Sequence, residues 1–222
     1  MTTELAPSFP ARLKAATQAD HEAAESSGFI TSLLQGQSTA VGYVRLLSQY
    51  AYIYAALEAG ARQLRESRPD LADVLDERLD RMASLQADLA QLRPAHGFAD
   101  IPPALESTQA YVARLHETAQ TDAVRFLAHH YLRYLGDLSG GQIIGRLVGR
   151  HYAIPGEALS MWDFAGIDKL KPYKDDYRRH LDAAMDSPEA ENDFIHEAAL
   201  GFRLNRALFE ELARTAEAAA AG

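Results

Sequence analysis

The sequence predicts an all-α fold, a single domain of about seven or eight helices packed around a shared interior. Three observations predict it. Apolar residues recur at spacings of three and four along nearly the whole chain, the signature of one helix face. The alternating β-branched runs of strands are missing. Proline, glycine and hydroxyl residues fall between the periodic stretches, where helices start and stop.

The first helix follows Pro10 and ends at Ser26-Ser27-Gly28. Gly36, Ser38 and Thr39 precede the second, whose stripe is Tyr43, Leu46, Leu47, Tyr50, Tyr54, Leu57, Ala61 and Leu64. A third stripe, Leu71, Val74, Leu75, Leu79, Met82, Leu85, Leu89 and Leu92, reads as one helix closed by Arg93-Pro94. Ile101-Pro102-Pro103 opens the next. Pro155-Gly156 is a turn, and Met161-Trp162-Asp163-Phe164 is the only short piece with an extended character. Ser187-Pro188-Glu189 reads as an N-cap with proline at the first helical position. The last stripe runs through Phe194, Ala198, Phe202, Asn205, Phe209 and Leu212. Residues 1–222 form one domain in this reading, with 1–9 and 214–222 as loose termini.

Composition narrows the function. A chain of 222 residues buries a sizeable core without disulfides or a structural metal. There is no cysteine, which removes thiolate nucleophiles, thiolate metal sites and iron–sulfur clusters and suits a reducing cytoplasm. The net charge of -9 argues against a nucleic-acid binder. Met1–Pro10 lacks the basic and apolar regions of a signal peptide, and no apolar run is long enough for a membrane anchor. Nothing in the chain demands more than a monomer.

Two features carry chemistry. Lys14, Thr17, His21 and Glu25 are spaced by three, four and four, which places them within roughly an 80° sector of a helix. A histidine that binds a metal through one ring nitrogen needs a partner for the other, and Glu25 stands one turn onward. Spacing alone favours the plainer reading of a solvated His–Glu helix pair. The second feature is the segment Gly136-Asp137-Leu138-Ser139-Gly140-Gly141 inside a helical pattern. A glycine in a helix costs about 1 kcal/mol relative to alanine, so three in so short a span require a reason. Either the backbone approaches a ligand closely or the helix bends. Gly136 and Gly140, one turn apart, make a flat patch suited to a flat ligand, with Asp137 beside it. Gly141, Gly145 and Gly149 prolong the ridge, for which tight helix packing is the alternative. No phosphate-loop motif or preceding strand is present.

The run Tyr134-Leu135-Gly136-Asp137-Leu138-Ser139-Gly140-Gly141-Gln142 resembles the signature of the haem oxygenases. Leu13-Lys14 with Thr17, His21 and Glu25 resembles the family's proximal helix. Ile53 to Glu58, Tyr173-Lys174 with Tyr177-Arg178, and Phe202 with Asn205, Leu208 and Phe209 follow in the family's order. The resemblance runs from about Leu13 to Leu212 and, lacking the hydrophobic tail of eukaryotic members, points to the soluble bacterial branch.

The resemblance implies a haem b sandwiched between a proximal helix and a glycine-kinked distal helix. His21 would be the iron ligand, as neutral imidazole, and Glu25 its hydrogen-bond partner. Gly136 and Gly140 would leave space for dioxygen. Asp137 would anchor a water network with Tyr54 and Arg133. Lys14, Tyr131, Lys174 and Arg178 would hold the propionates, and Phe202 and Asn205 would belong to the wall or the distal network. The implied reaction opens haem at a meso carbon, the α position by expectation, to biliverdin, carbon monoxide and ferrous iron. A reductase, ferredoxin or flavodoxin would supply electrons. A haem carrier is the first rival and would not need Asp137 beside glycines. A thiaminase-like enzyme would want a cysteine, and a di-iron protein matched Glu-x-x-His pairs; the sequence offers neither.

Overall fold

The computed structural model describes residues 8–221, with side chains to 218, and all statements below concern these residues. They form nine α-helical segments: α1 (Phe9–Glu25), α2 (Gly28–Leu34), α3 (Ala40–Ser67), α4 (Met82–Ala95), α5 (Glu106–Thr121), α6 (Ala123–Gly136), α7 (Gln142–Tyr152), α8 (Leu170–Ala184) and α9 (Pro188–Ala221). A π-turn, Asp137–Gly141, joins α6 to α7 in one continuous rod. No strand occurs among the described residues. The expected all-α bundle is therefore the fold.

Local chemistry sets the ends of the helices. Pro10 sits in the first turn of α1, where its missing N–H is no loss. The Thr39 hydroxyl accepts from Gly42 N and caps α3. Ser187 Oγ accepts from Ala190 N ahead of Pro188, as the sequence predicts, and Asp122, which the sequence reading did not single out, accepts from Arg125 N at the start of α6. Gly36 leaves α2 at a φ of 74°, a left-handed conformation in which glycine has no Cβ penalty.

The helix α3 is the central post. Tyr43, Leu47, Ile53, Tyr54 and Leu57 on it are fully buried, as befits a helix surrounded by others. It packs against α4 and α5, while α9 lies along α1, α5 and α6. No helix among the described residues is long and apolar enough to cross a membrane.

Two expectations are corrected. The stripe from Leu71 to Leu92 is not one helix: 3-10 turns at Pro69–Leu71 and Glu77–Leu79 precede α4, which begins at Met82. The apolar spacing is kept, but groups on α3 break the ladder. Glu58 accepts from Arg81 N and Met82 N, at 2.6 and 2.8 Å, and so fixes a helix start there. Arg65 takes the Leu75 carbonyl at 2.7 Å. Met161–Phe164 is not extended throughout either. Ser160–Trp162 is a 3-10 turn, held because buried Asp88 accepts from Ser160 N and Met161 N.

Candidate active site

Helix α1 presents Lys14, Thr17, His21 and Glu25 on one face, as their spacing requires. That face lines a cavity of about 540 Å3, closed by Tyr131 of α6, Arg178 of α8 and Phe202 of α9. Six of the sequence-selected residues, Lys14, His21, Glu25, Tyr131, Arg178 and Phe202, thus meet around one space. His21 is half-exposed into it, with its Nδ1 3.4 Å from Glu25 Oε2. The Phe202 ring stands edge-on to the imidazole, 5.2 Å between centroids, and limits its rotation. Thr17 faces inward and spends its hydroxyl on the Leu13 carbonyl. Burial raises the Tyr131 phenol above its ordinary pKa, and the neighbouring Arg178 charge opposes this. Lys174 stands apart from this cavity: its Nζ donates to Ser139 Oγ at 3.2 Å, tying α8 to the π-turn.

The other feature that the sequence singles out is the π-turn, whose residues do not line the His21 cavity. Its backbone stays right-handed throughout the segment ends, with Gly136 at φ -60° and Gly141 at φ -57°, so neither glycine is present for an unusual φ. The reason is space. A Cβ built on Gly136 or Gly140 meets nothing within 4 Å, whereas one on Gly141 would strike Trp162 at 2.8 Å. Gly136 and Gly140 thus keep an open face bare, and Gly141 and Gly145 admit a packed indole. The two purposes considered for the glycines, close approach and tight packing, divide between the two pairs.

Asp137, between these glycines in sequence, is buried. Its Oδ2 accepts from the Tyr54 hydroxyl. Arg133 Nε and Nη2 donate to the same Tyr54 oxygen at 3.2 and 3.0 Å, and Arg133 Nη1 donates to Asn205 Oδ1 at 2.9 Å. The Arg133 guanidinium also lies 4.2 Å from the centroid of the Tyr50 ring. Asn205, Arg133, Tyr54 and Asp137 therefore form one buried chain across α9, α6, α3 and the π-turn. Burial pushes the Asp137 carboxyl above the usual range, and the Arg133 charge and Tyr54 hydrogen bond pull it back. Burial likewise raises the Tyr54 phenol, which stays protonated and available as a donor.

The residues fit a flat dianionic ligand with a metal at its centre. An imidazole faces a cavity, cationic and phenolic groups stand at its rim, and a side-chain-free helix face lies within the same bundle. Sequence reasoning passed over Tyr50, Ser139 and Trp162, whose roles depend on neighbours far away in the chain. Two histidines of α6, His129 and His130, stand outside the lining of the cavity. Both are buried, His129 paired with Glu197 at 2.8 Å and His130 with the Tyr177 hydroxyl at 2.8 Å. No group of three or more potential metal ligands occurs among the described residues.

Comparison with known proteins agrees with this geometry. The family model for heme oxygenase matches residues 7–211. Heme oxygenase 1 of Rattus norvegicus is 35% identical over 202 residues, covering 90% of this chain and 70% of the relative. The heme oxygenase of Rhodella violacea is 32% identical over 202 residues, covering 90% of this chain and 85% of its own length. Among solved structures, heme oxygenase-1 of the cyanobacterium Synechocystis, in complex with heme, superposes with a TM-score of 0.86 at 28% identity, covering 96% of both chains. The heme oxygenase of Leptospira interrogans gives 0.83 at 30% identity, covering 92% of this chain and 100% of the other. A family match over nearly the whole sequence, on a bundle that buries Asp137 beside the bare glycines, establishes that the chain belongs to the haem oxygenase family.

Proposed function

We propose that the protein binds haem b beside His21 and opens it at a meso carbon, giving biliverdin, carbon monoxide and ferrous iron, with dioxygen as co-substrate. The observation that carries this reading is Asp137, a buried carboxylate held by Tyr54 in a turn whose Gly136 and Gly140 are bare. A carrier has no use for that arrangement. When bound, haem supplies both the iron at which dioxygen is reduced and the ring that is oxidised.

The chain's own groups then have distinct tasks. His21 would hold the iron through a ring nitrogen, and Glu25, on the Nδ1 side, would orient the imidazole. Lys14, Tyr131 and Arg178, which line the cavity, would hold the two propionates, the cations by charge-assisted hydrogen bonds. Lys174, four residues before Arg178 on the same helix face, completes the clamp on leaving Ser139. Gly136 and Gly140 let backbone approach the substrate closely and leave room for dioxygen. Asp137 keeps Oδ2 on Tyr54; its other oxygen orders water and passes a proton toward the reacting edge. Arg133 and Asn205 hold Tyr54 in place. Phe202 walls the proximal side.

Clamping fixes which edge of the ring is presented, so regiochemistry follows from orientation. The α-meso product is expected, and mainly β- or δ-biliverdin by chromatography would overturn that assignment. A ferredoxin-, flavodoxin- or flavoprotein-type donor supplies electrons to the exposed haem edge of a monomeric, cytoplasmic enzyme.

The deciding experiment loads the protein with haem, supplies an electron donor in air and follows the Soret band. Loss of the band, with bilin absorbance and a carbon monoxide adduct appearing, supports the reading. A persistent haem spectrum would make the protein a carrier, and failure to bind haem would overturn the reading entirely.

A further inference from the structure

The distal turn is held from behind by the only tryptophan in the chain. The side chain of Trp162 lies close against the backbone of the π-turn's last residue and of α7's first turn: a Cβ on Gly141 would meet its Cε3 at 2.8 Å, and one on Gly145 its Cδ1 at 3.0 Å. The ring cannot slide. Its Nε1 donates to the Tyr43 hydroxyl at 2.8 Å, and Tyr43 is fully buried on α3. The segment that carries it is pinned on both sides. Before it, Asp88 accepts from Ser160 N, Ser160 Oγ and Met161 N at 2.9, 2.6 and 2.9 Å. After it, Arg81 Nη1 takes the Asp163 carbonyl at 2.6 Å, and the Arg81 guanidinium stacks 4.0 Å from the Phe164 ring centroid. Asp88 is fully buried and Arg81 nearly so, which makes these hydrogen bonds costly to break.

The same helix, α3, thus fixes the π-turn at two points. Tyr54 holds it through Asp137, and Tyr43 holds it through Trp162 and the glycines. A π-turn is a rare element, found mostly as a single turn inside an α-helix and often at a functional site. We infer that Trp162 is a positioning residue for the haem oxygenase reaction: its indole, anchored by Tyr43, Asp88 and Arg81, sets the stand-off of Gly136, Asp137 and Gly140 from the substrate. The inference rests on the proposed function for what lies opposite the turn, but the brace itself exists without substrate.

Two readouts test it. The first is amide hydrogen exchange of the haem-free protein. Trp162→Ala is expected to raise exchange across residues 137–145 by about tenfold or more relative to α5, because the brace governs local rather than global opening. Trp162→Phe, which keeps an aromatic ring against the glycines, restores most of the protection. Tyr43→Phe, which removes only the anchoring hydroxyl, loosens the same amides by a smaller factor. The second readout is the pH midpoint of the visible spectrum of the ferric haem complex, which senses the distal groups. It is expected to move by about half a unit or more in Trp162→Ala and less in Trp162→Phe.

A merely structural tryptophan would raise exchange uniformly, α5 included, and leave the pH midpoint in place; that result overturns the proposal. So does local loosening without a change in midpoint, since the brace would not then reach Asp137. If Trp162→Ala fails to fold, unchanged exchange in both Trp162→Phe and Tyr43→Phe overturns it instead. Should the protein bind no haem at all, the exchange experiment still reads the brace, and the failure belongs to the proposed function.

Discussion

Tyr54 and Asp137 are 83 residues apart in sequence and joined by a hydrogen bond in the core, hydroxyl to carboxylate. The contact fastens the glycine-bearing turn to the central helix and leaves one carboxylate oxygen for chemistry. Asp137→Ala is expected to retain haem binding while bilin formation falls by about a hundredfold or more, the range for a lost proton-handling group. Tyr54→Phe leaves the carboxylate in place and should cost about tenfold or less. Unchanged turnover in Asp137→Ala would remove the residue from the mechanism.

His21 and Glu25 make a graded pair. His21→Ala should lose the neutral-imidazole spectrum of the ferric complex and its turnover together. Glu25→Gln keeps a hydrogen-bonding side chain without the charge, and is expected to weaken haem affinity or turnover by about tenfold, as for partners of metal-bound histidines. Electron paramagnetic resonance of the two variants checks both statements. Normal turnover in His21→Ala would mean that another histidine holds the iron.

The rim cations divide into two groups. Lys14 and Arg178 face the cavity, whereas Lys174 sits on Ser139. Lys14→Ala and Arg178→Ala are expected to broaden the mixture of biliverdin isomers at modest loss of affinity. Lys174→Ala should do so less, because its present partner is the π-turn. Chromatography of the products separates the cases, and an equal effect of all three would show that Lys174 leaves Ser139 completely on binding.

Acid should unfold the bundle in two overlapping windows. Burial holds the His130 imidazole neutral, its pKa lowered from 6.5 to about 3. The unfolded chain therefore takes up a proton first, and stability falls as pH drops from about 6.5 toward 3. Glu197 is lowered from 4.5 to about 2: burial alone would raise it, but Arg114 and His129 outweigh burial. Its contribution is present above about 4.5 and lost as pH falls toward 2. Urea midpoints measured against pH should slope through both windows in the wild type. Glu197→Gln should flatten the lower one, and an unchanged slope there would show that the Arg114–Glu197–His129 cluster adds no pH-dependent stability.

The helices and several of their ends were legible because their causes are local: apolar spacing, Thr39 and Pro188 act on neighbours in sequence. The start of α4 was not, because Glu58 and Arg65 impose it from another helix, and a stripe with correct spacing does not reveal a broken ladder. The proximal face was legible from spacing, but its chemistry was not, since His21 and Glu25 alone read as a surface pair. The glycine string carried the site because glycine inside a helix is unfavourable and must be explained. Its second half remained hidden. Nothing near Gly141 or Gly145 in sequence announces an indole that arrives from Trp162 and is held there by Tyr43.

The π-turn also sets what a change of chain length would do here. A π-turn takes up one residue more than an α-turn while the helices on either side keep their register. Removing one residue between 137 and 141 would let the rod close into plain α-helix with α7 still aimed as it is, and Gly145 would stay against Trp162. The loss would fall on the turn itself, where Asp137 and the glycines have their places. Removing a residue between 142 and 144 would instead rotate the rest of α7 by about 100° and bring Arg146 to the indole in place of Gly145. One codon lost is absorbed in the turn and re-aims a helix just beyond it.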